Sequence, residues 1–281
     1  MGVTTIRHPA VAGQFYPRDR ERLVAEIKSY AAPEPVPISA IGCIVPHAGY
    51  MYSGHVAGAV FAHLRLPTRF VILCPNHTGM GAPLSIISEG QWETPLGFAS
   101  IDSRLASRLK SNFLWLAEDT DAHRSEHAIE VQLPFLQDRL EQLNFVPIAV
   151  GTGRFEVLEM LGNALAEVVA GEKEQVLIVA SSDMNHYESD SITRQKDALA
   201  IQPILALDAR GLYDVVKQEN ISMCGYGPTV AMLTAARRLG AVSAELIRYA
   251  TSGDVSGDRA MVVGYAGIAI VGASTRESPT K

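Results

Sequence analysis

Short runs of apolar residues, each ended by proline, glycine or asparagine, recur along the chain and predict buried β-strands. Between them, apolar side chains repeat at helical spacing over longer segments, which predicts amphipathic α-helices. The predicted strands span residues 41–45, 70–73, 145–150, 175–180 and 261–271, with further strands at 84–88, 98–101 and 244–249. The predicted helices span residues 20–30, 54–64, 103–111, 126–140, 155–170, 191–207, 209–218 and 228–239.

The alternation of strands and helices is typical of an α/β protein, in which helices pack on a central sheet. The additional strands lie close in sequence to their neighbours, which indicates some antiparallel pairing, so we expect a mixed sheet. The only linker-like stretch, residues 31–37, comes too early to separate two domains of ordinary size. We therefore expect residues 1–281 to form a single-domain αβα sandwich, with residues 274–281 as a frayed tail.

Composition argues against several classes of protein. The 281 residues include 30 acidic and 24 basic side chains, a formal net charge of −6, which disfavours binding to nucleic acid or to an anionic membrane surface. No apolar run is long enough to span a bilayer, and the N-terminus lacks the pattern of a signal peptide. The three cysteines form no CxxC pair, which is typical of a reducing compartment. We expect a cytoplasmic protein.

Three histidines follow predicted strands at the point where each strand ends. His47 and His77 each follow a buried strand, and His186 comes with Asp183 after a third. Ligands of open α/β sheets bind beyond the carboxyl ends of the strands. A single histidine is usually a surface or core residue, but three imidazoles at one sheet edge favour a metal-binding or acid–base role.

A metal site that acts on a substrate combines imidazoles with a carboxylate or thiolate and leaves one coordination position open. Cys224 is the best placed of the three cysteines, because it comes just before a predicted helix, whose positive end would lower the pKa of the thiol. Cys43 and Cys74 lie within or at the end of strands, as small buried side chains do, although Cys74 could also line the site.

The predicted helix over residues 126–140 begins with two glutamates. Glu126 and Glu130 are four residues apart and would share one face of it, with His127 on another. The segment lacks the two histidines of a zinc-protease helix. Its spacing fits a charged first turn that suits the helix dipole about as well as a functional glutamate or histidine. Sequence patterns for a P-loop, a dinucleotide-binding glycine run and a serine elbow do not occur.

Several motifs, taken together and in this order, resemble those of the Memo family. They are residues 46–50, 75–77, 126–130, 181–186, 224–225 and 249–252, with residues 8–17 and 265–267 resembling the family's opening and close. The resemblance extends over nearly the whole chain. Prokaryotic members are called AmmeMemoRadiSam system protein B, and that name implies an AMMECR-like protein and a radical SAM protein as functional partners.

The Memo fold is similar to that of class III extradiol dioxygenases, which are non-haem iron(II) enzymes, so the resemblance implies a dioxygenase-like fold. It also implies that His47, His77 and Cys224 are metal ligands and that His186 is an acid–base residue. Asp183 would then orient an imidazole or a bound water molecule. The residues expected to shape the pocket around this centre are Tyr50, Tyr52, Asn76, Glu126 and His127.

One position departs from the dioxygenase pattern, because Cys224 stands where those enzymes have a carboxylate. A thiolate is a softer ligand, which favours copper(I), zinc or iron with a different redox potential. We therefore expect a metal-dependent redox enzyme that holds iron(II), with copper or zinc as alternatives, and that acts on an unknown small molecule. The same ligand set suits a metal carrier, or a scaffold for the radical SAM and AMMECR-like partners, without turnover. Bound zinc would favour a third function, hydrolysis by a metal-activated water.

Overall fold

A computed structural model describes residues 5–30 and 36–273 of the chain. The predicted tail at residues 274–281 and most of the linker-like stretch lie outside the described residues. Within those residues, the strands are β1 Ile6–Arg7, β2 Gly42–Val45, β3 Arg69–Pro75, β4 Leu84–Ile86, β5 Gln91–Thr94, β6 Gly97–Ile101, β7 Ala117–Glu118, β8 Asn144–Val150, β9 Val176–Ser181, β10 His186–Glu188, β11 Ala241–Thr251 and β12 Val262–Gly272. The α-helices there are α1 Arg20–Tyr30, α2 Tyr50–His63, α3 Ser103–Asn112, α4 Asp121–Arg124, α5 Leu133–Arg139, α6 Phe155–Ala170, α7 Asp190–Leu205, α8 Ala209–Gln218, α9 Tyr226–Arg238 and α10 Gly253–Ser256.

These strands join one mixed sheet, as the alternating pattern and the additional short strands predict. Its order is β1-β5-β6-β8-β3-β9-β2-β12-β10, with β11 paired to β12, β4 paired to β8, and β7 paired to β4. Five neighbouring strands, β6, β8, β3, β9 and β2, run parallel to one another. Antiparallel pairs enter where β12 meets β2, β10 and β11, and where β5 meets β6.

Four of the parallel strands, β2, β3, β8 and β9, are buried on both faces, which explains why their sequences are almost unbroken apolar runs. Along β3, Val71 and Leu73 belong to one core cluster, whereas Phe70 and Ile72 belong to another. The first cluster includes buried residues of α3, α6, α7, α8 and α9, and the second includes buried residues of α1, α2 and α5. Helices therefore cover both faces of the sheet, which confirms the predicted αβα sandwich.

One predicted helix is wrong over its first half. Residues 126–140 contain a 3₁₀ turn at Glu130–Gln132 followed by α5. The Glu126 carboxylate accepts a hydrogen bond from the N–H of Ala128, a local turn contact that competes with helix formation. Pro134 has no N–H to donate and is tolerated only in the first turn, so the regular helix begins beside it. As a consequence, Glu126 and Glu130 do not share a helix face.

The remaining differences lie at element ends and in very short elements. Helix α2 begins at Tyr50 rather than at residue 54, and β11 extends the predicted strand at both ends. Strands β1, β5, β7 and β10 are two to four residues long, too short to show a period of two in the sequence. In the part of the chain that is described, no helix is long and apolar enough to cross a membrane.

We expect Leu73→Ala, in the central strand β3, to lower the free energy of unfolding by about 2–5 kcal/mol, because it leaves a cavity in the core. Leu114→Ala is the matched control and should change this free energy by less than about 0.5 kcal/mol. Leu73 is fully buried, whereas Leu114 is 84% exposed. Chemical denaturation followed by circular dichroism measures both, and equal effects would contradict the assigned core.

Candidate metal centre

The carboxyl ends of three adjacent parallel strands, β3, β9 and β2, place the central side chains of the site. Each strand is followed, two residues after its last one, by a polar side chain: His77 after β3, Asp183 after β9 and His47 after β2. Val45 pairs with Ser181, which puts His47 level with Asp183, and Leu73 pairs with Ala180, which puts His77 one position further along the same sheet edge. The fourth residue, Cys224, comes from the loop before α9, two residues before that helix begins.

The structure brings His47, His77 and Cys224 together. One ligand atom from each of the three side chains lies within 4.8 Å of the other two. The Sγ atom of Cys224 is 3.2 Å from Nε2 of His47. The imidazole rings of His47 and His77 meet edge to face, with their centroids 5.1 Å apart. His47 is buried, whereas a third of the His77 side chain is exposed to solvent. The group therefore lies in a cleft that is open on the side of His77.

The hydroxyl of Ser181 determines which nitrogen of His47 carries its proton. This hydroxyl donates its one hydrogen to the carbonyl of Ala128 at 2.7 Å and accepts from Nε2 of Gln132 at 2.9 Å. Its remaining lone pair faces Nδ1 of His47 at 3.0 Å. Since the hydroxyl has no second hydrogen, Nδ1 of His47 must be the donor. The lone pair of His47 is then on Nε2, facing Cys224.

Glu126 fixes the second imidazole in the same way. Its carboxylate accepts from the backbone N–H of His77 at 2.7 Å and from Nδ1 of the same residue at 2.8 Å. Burial would raise the pKa of Glu126, but the hydrogen bond and charge of His77, together with the N–H of Ala128 and the charge of His127, hold that pKa below its usual value. An ionised carboxylate only accepts, so His77 is also protonated on Nδ1 and presents Nε2 to the cleft.

Two free Nε2 atoms and one thiol are a donor set that fits a transition metal. Imidazoles that bind metals commonly donate their other N–H to a carboxylate or another oxygen, as His77 and His47 do here. In the protein without metal, burial and the neighbouring charge of Asp183 raise the pKa of the Cys224 thiol well above its usual value. The prediction that the start of α9 would lower this pKa is therefore wrong, because loss of hydration outweighs the helix dipole. A bound cation would reverse the shift.

His186 and Asp183 lie beside this group. Nδ1 of His186 is 2.9 Å from the carbonyl of Ser222 and donates to it, so that Nε2 carries the lone pair. Burial lowers the pKa of His186, as does the nearby charge of His77. Oδ1 of Asp183 accepts from the backbone N–H of His47 at 2.7 Å. Burial raises the pKa of Asp183 to about 7, although the hydrogen bond from His47 acts to lower it.

His127 also faces the cluster, although the helical spacing had placed it on another face of a helix. Its ring stacks on His77 with centroids 4.8 Å apart and planes inclined by 20°. It meets His47 edge to face at 5.4 Å and contacts Phe15 at 4.7 Å. Because residues 126–129 are not helical, the side chain of His127 can turn toward the same cleft as the two ligand histidines.

The contacts described for the other predicted pocket residues, Tyr50, Tyr52 and Asn76, are with residues outside the ligand group. The buried Tyr50 packs on Phe135 and donates its hydroxyl to the carbonyl of Val131. Tyr52 packs against a small cluster on α2 and β12. Asn76 donates to the carbonyl of Met80 and so shapes the loop that carries His77. The described part of the chain holds a second group of potential ligands that uses His77 again, together with Glu126 and His127.

Sequence reasoning missed the residues that orient the imidazoles, chiefly Ser181 and Gln132. Ser181 is the first polar residue after the predicted strand at 175–180 and lies two positions before Asp183. Gln132 is fully buried and contacts Ser181 across 49 positions in the chain. A lone glutamine before an apolar run carries no local signal of such a contact, so only the tertiary structure identifies it.

A family model described as Memo-like protein matches residues 7–269. Among relatives named MEMO1 family protein, one from Methanosarcina mazei is 45% identical over 269 residues, covering 94% of this chain and 99% of its own length. Another, from Methanothermobacter thermautotrophicus, is 42% identical over 273 residues, covering 93% and 99%. The crystal structure of uncharacterized protein JW3007 from Escherichia coli K12 matches with a TM-score of 0.52 and 14% identity, covering 81% of this chain and 98% of that one. At that identity the likeness shows the fold alone.

We expect Glu126→Gln to lower the pKa of His77 in the metal-free protein. Burial alone would depress the pKa of His77, and the hydrogen bond and charge of Glu126 outweigh burial to hold it above its usual value of 6.5. Glutamine has a similar shape but no charge, so burial should dominate and His77 should titrate below 6.5. NMR titration of the imidazole carbons measures the change, and an unaltered pKa would show that Glu126 is not its cause.

Proposed function

The chain belongs to the Memo-like family, and we propose that its cleft holds a transition-metal ion, preferably iron(II), on His47, His77 and Cys224 and uses it in redox chemistry on a small molecule. The observation that carries this proposal is the paired orientation of the two imidazoles. Ser181 accepts a hydrogen bond from Nδ1 of His47 and Glu126 accepts one from Nδ1 of His77, which leaves both Nε2 atoms free as ligands beside the Cys224 thiol.

The residues beside the proposed ligands supply proton transfer. When bound, iron or copper would provide a Lewis acid and one-electron redox chemistry. His186 is neutral at pH 7 because burial lowers its pKa, and the carbonyl of Ser222 leaves its Nε2 as the basic atom. It can therefore take a proton from an acidic group of the substrate and return it later. The buried carboxyl of Asp183 accepts a hydrogen bond from the backbone N–H of His47 and would hold that ligand in place.

The thiolate also supports a second function, that of a metal carrier or scaffold without turnover. Cys224 is a soft donor at the position where class III extradiol dioxygenases have a hard carboxylate, and a soft donor strengthens binding of copper(I). A carrier would hand the ion to another protein, and we propose the AMMECR-like and radical SAM proteins as its partners. A measurement of turnover distinguishes the carrier from the enzyme, since only the enzyme shows turnover that depends on substrate or oxygen.

Metal content measured by mass spectrometry on protein purified without oxygen from its native host tests the ligand set. We expect close to one iron per chain. His47→Ala and Cys224→Ala should each reduce it by at least about tenfold, since even an indirect partner of a metal ligand commonly contributes that much affinity. His63→Ala and Cys43→Ala are matched controls away from the group and should retain the metal.

Other results of the metal measurement would favour a different function or refute the proposed ligands. Copper that is lost in both ligand variants would favour the carrier, and zinc lost in both would favour a hydrolase that uses a metal-activated water. Full occupancy in the two ligand variants would show that these residues are not the ligands. Protein purified without any metal would refute the proposed function.

The affinity for metal should rise with pH, because the ion competes with protons for its ligands. Cys224 loses a proton on binding at any pH near neutral, since its pKa is raised far above that range. His77, whose pKa is raised above 6.5, loses a second one at lower pH. Affinity should therefore increase roughly a hundredfold per pH unit below the His77 pKa and roughly tenfold above it. Anaerobic titrations measure this slope, and an affinity that is flat between roughly pH 5 and 8 would contradict it.

A further inference from the structure

The fully buried carboxylate of Glu130 is held by the N-terminal segment, residues 7–16. Four donors of that segment reach it. Arg7 Nη1 and the N–H of Ala10 donate to Oε2 at 2.7 and 2.8 Å, while the N–H of Val11 and the hydroxyl of Tyr16 donate to Oε1 at 3.0 and 2.7 Å. With two donors on each oxygen, the carboxylate is saturated. Glu130 therefore does not serve as a metal ligand, although it lies four residues from Glu126.

Arg7 extends the same contact to the backbone next to the metal ligands. Its Nη2 donates to the carbonyl of Glu126 at 2.7 Å, and its Nε donates to the carbonyl of His123 at 2.8 Å. Three of its hydrogen bonds thus join it to this region, one to a charge and two to the main chain of residues 123–126, and a longer one of 3.4 Å reaches the carbonyl of His8. A planar fork of fixed geometry is needed for all three at once.

The segment bound in this way supports both imidazoles. We call residues 126–132 the orienting loop, because Glu126 in it holds Nδ1 of His77 and the carbonyl of Ala128 holds the hydroxyl that orients His47. Glu130 lies in the middle of this loop. The N-terminal segment touches the cleft once more, where the ring of Phe15 packs on His127.

We propose that Arg7 and Glu130 are positioning residues that set the affinity of the histidine and thiolate group for its metal, by fastening the orienting loop to the N-terminal segment. This inference rests on the proposed metal site and extends it to a part of the chain that holds none of the proposed ligands. Neither side chain touches the ion in this scheme. Their effect is transmitted through Glu126 and Ala128, whose displacement would misalign the two Nε2 atoms.

The probe is Co²⁺, whose visible absorption reports on ligand geometry and on bonding to a thiolate. Purified metal-free protein is titrated with Co²⁺ under anaerobic conditions, and the melting temperature is measured in parallel. The variants are Glu130→Gln, which removes the charge, and Arg7→Lys, which keeps the charge but lacks the donors for the carbonyls of His123 and Glu126. The matched control is Glu172→Gln, which disrupts a similarly buried carboxylate paired with Arg69 at the opposite end of β3.

We expect Glu130→Gln and Arg7→Lys to weaken Co²⁺ binding by about tenfold or more and to alter the absorption of the bound ion, since changes to indirect partners act on this scale. Glu172→Gln should lower the melting temperature by a comparable amount yet bind Co²⁺ like the wild type. Wild-type affinity in both N-terminal variants would overturn the inference, as would an equal loss of affinity in Glu172→Gln. Failure of the wild type to bind Co²⁺ would instead refute the metal site itself.

Hydrogen exchange on the wild type keeps the inference testable where a variant fails to fold. If the segment strengthens metal binding, metal binding must stabilise the segment by the same free energy. The amides of Ala10 and Val11, which donate to Glu130, should therefore exchange more slowly with Co²⁺ than without it. Exchange rates that Co²⁺ leaves unchanged would overturn the coupling.

Discussion

Two fully buried carboxylates, Glu126 and Glu130, impose the constraint on which the site depends. A buried charge is tolerated only when it is paired and hydrogen-bonded, so each must find several donors. Glu126 finds them in His77 and in a neighbouring amide, and Glu130 finds them in the N-terminal segment. Because both carboxylates are hydrogen-bonded, the end of β3 and the N-terminal segment both contact the orienting loop. The same contacts align the imidazole of His77.

Much of the architecture was predictable, because the physics that builds it is local and periodic. Parallel strands buried on both faces need continuous apolar runs, and those runs are legible in the sequence. The rule that chemistry collects at the carboxyl ends of such strands then joins His47, His77 and Asp183 without any knowledge of distances. Cys224 lies outside that rule: its position just before a predicted helix distinguished it from the other cysteines, and the resemblance to the Memo family grouped it with the two histidines.

What escaped prediction depends on contacts between distant parts of the chain. Residues 126–129 have helical spacing, yet Glu126 gains more from binding His77 than it would from a place in a helical turn. The same contact let His127 turn toward the cleft. The orientation of His47 by Ser181 and Gln132 cannot be predicted from the sequence either, because buried polar groups form hydrogen bonds with whichever groups the tertiary structure brings near them. Burial, which local sequence indicates poorly at loop positions, also reversed the expected shift in the pKa of Cys224.

The span between the ligand residues has a consequence for how the protein matures. Cys224 and His47 are 177 positions apart, so the contact between them closes one of the longest loops in the chain. Contacts of such high order form late in folding, after the intervening strands have paired. A nascent chain with only its first half synthesised would contain His47 and His77 but not Cys224. An ion that needs all three side chains would therefore be bound only after most of the chain has been made and the three strands that carry the site have paired.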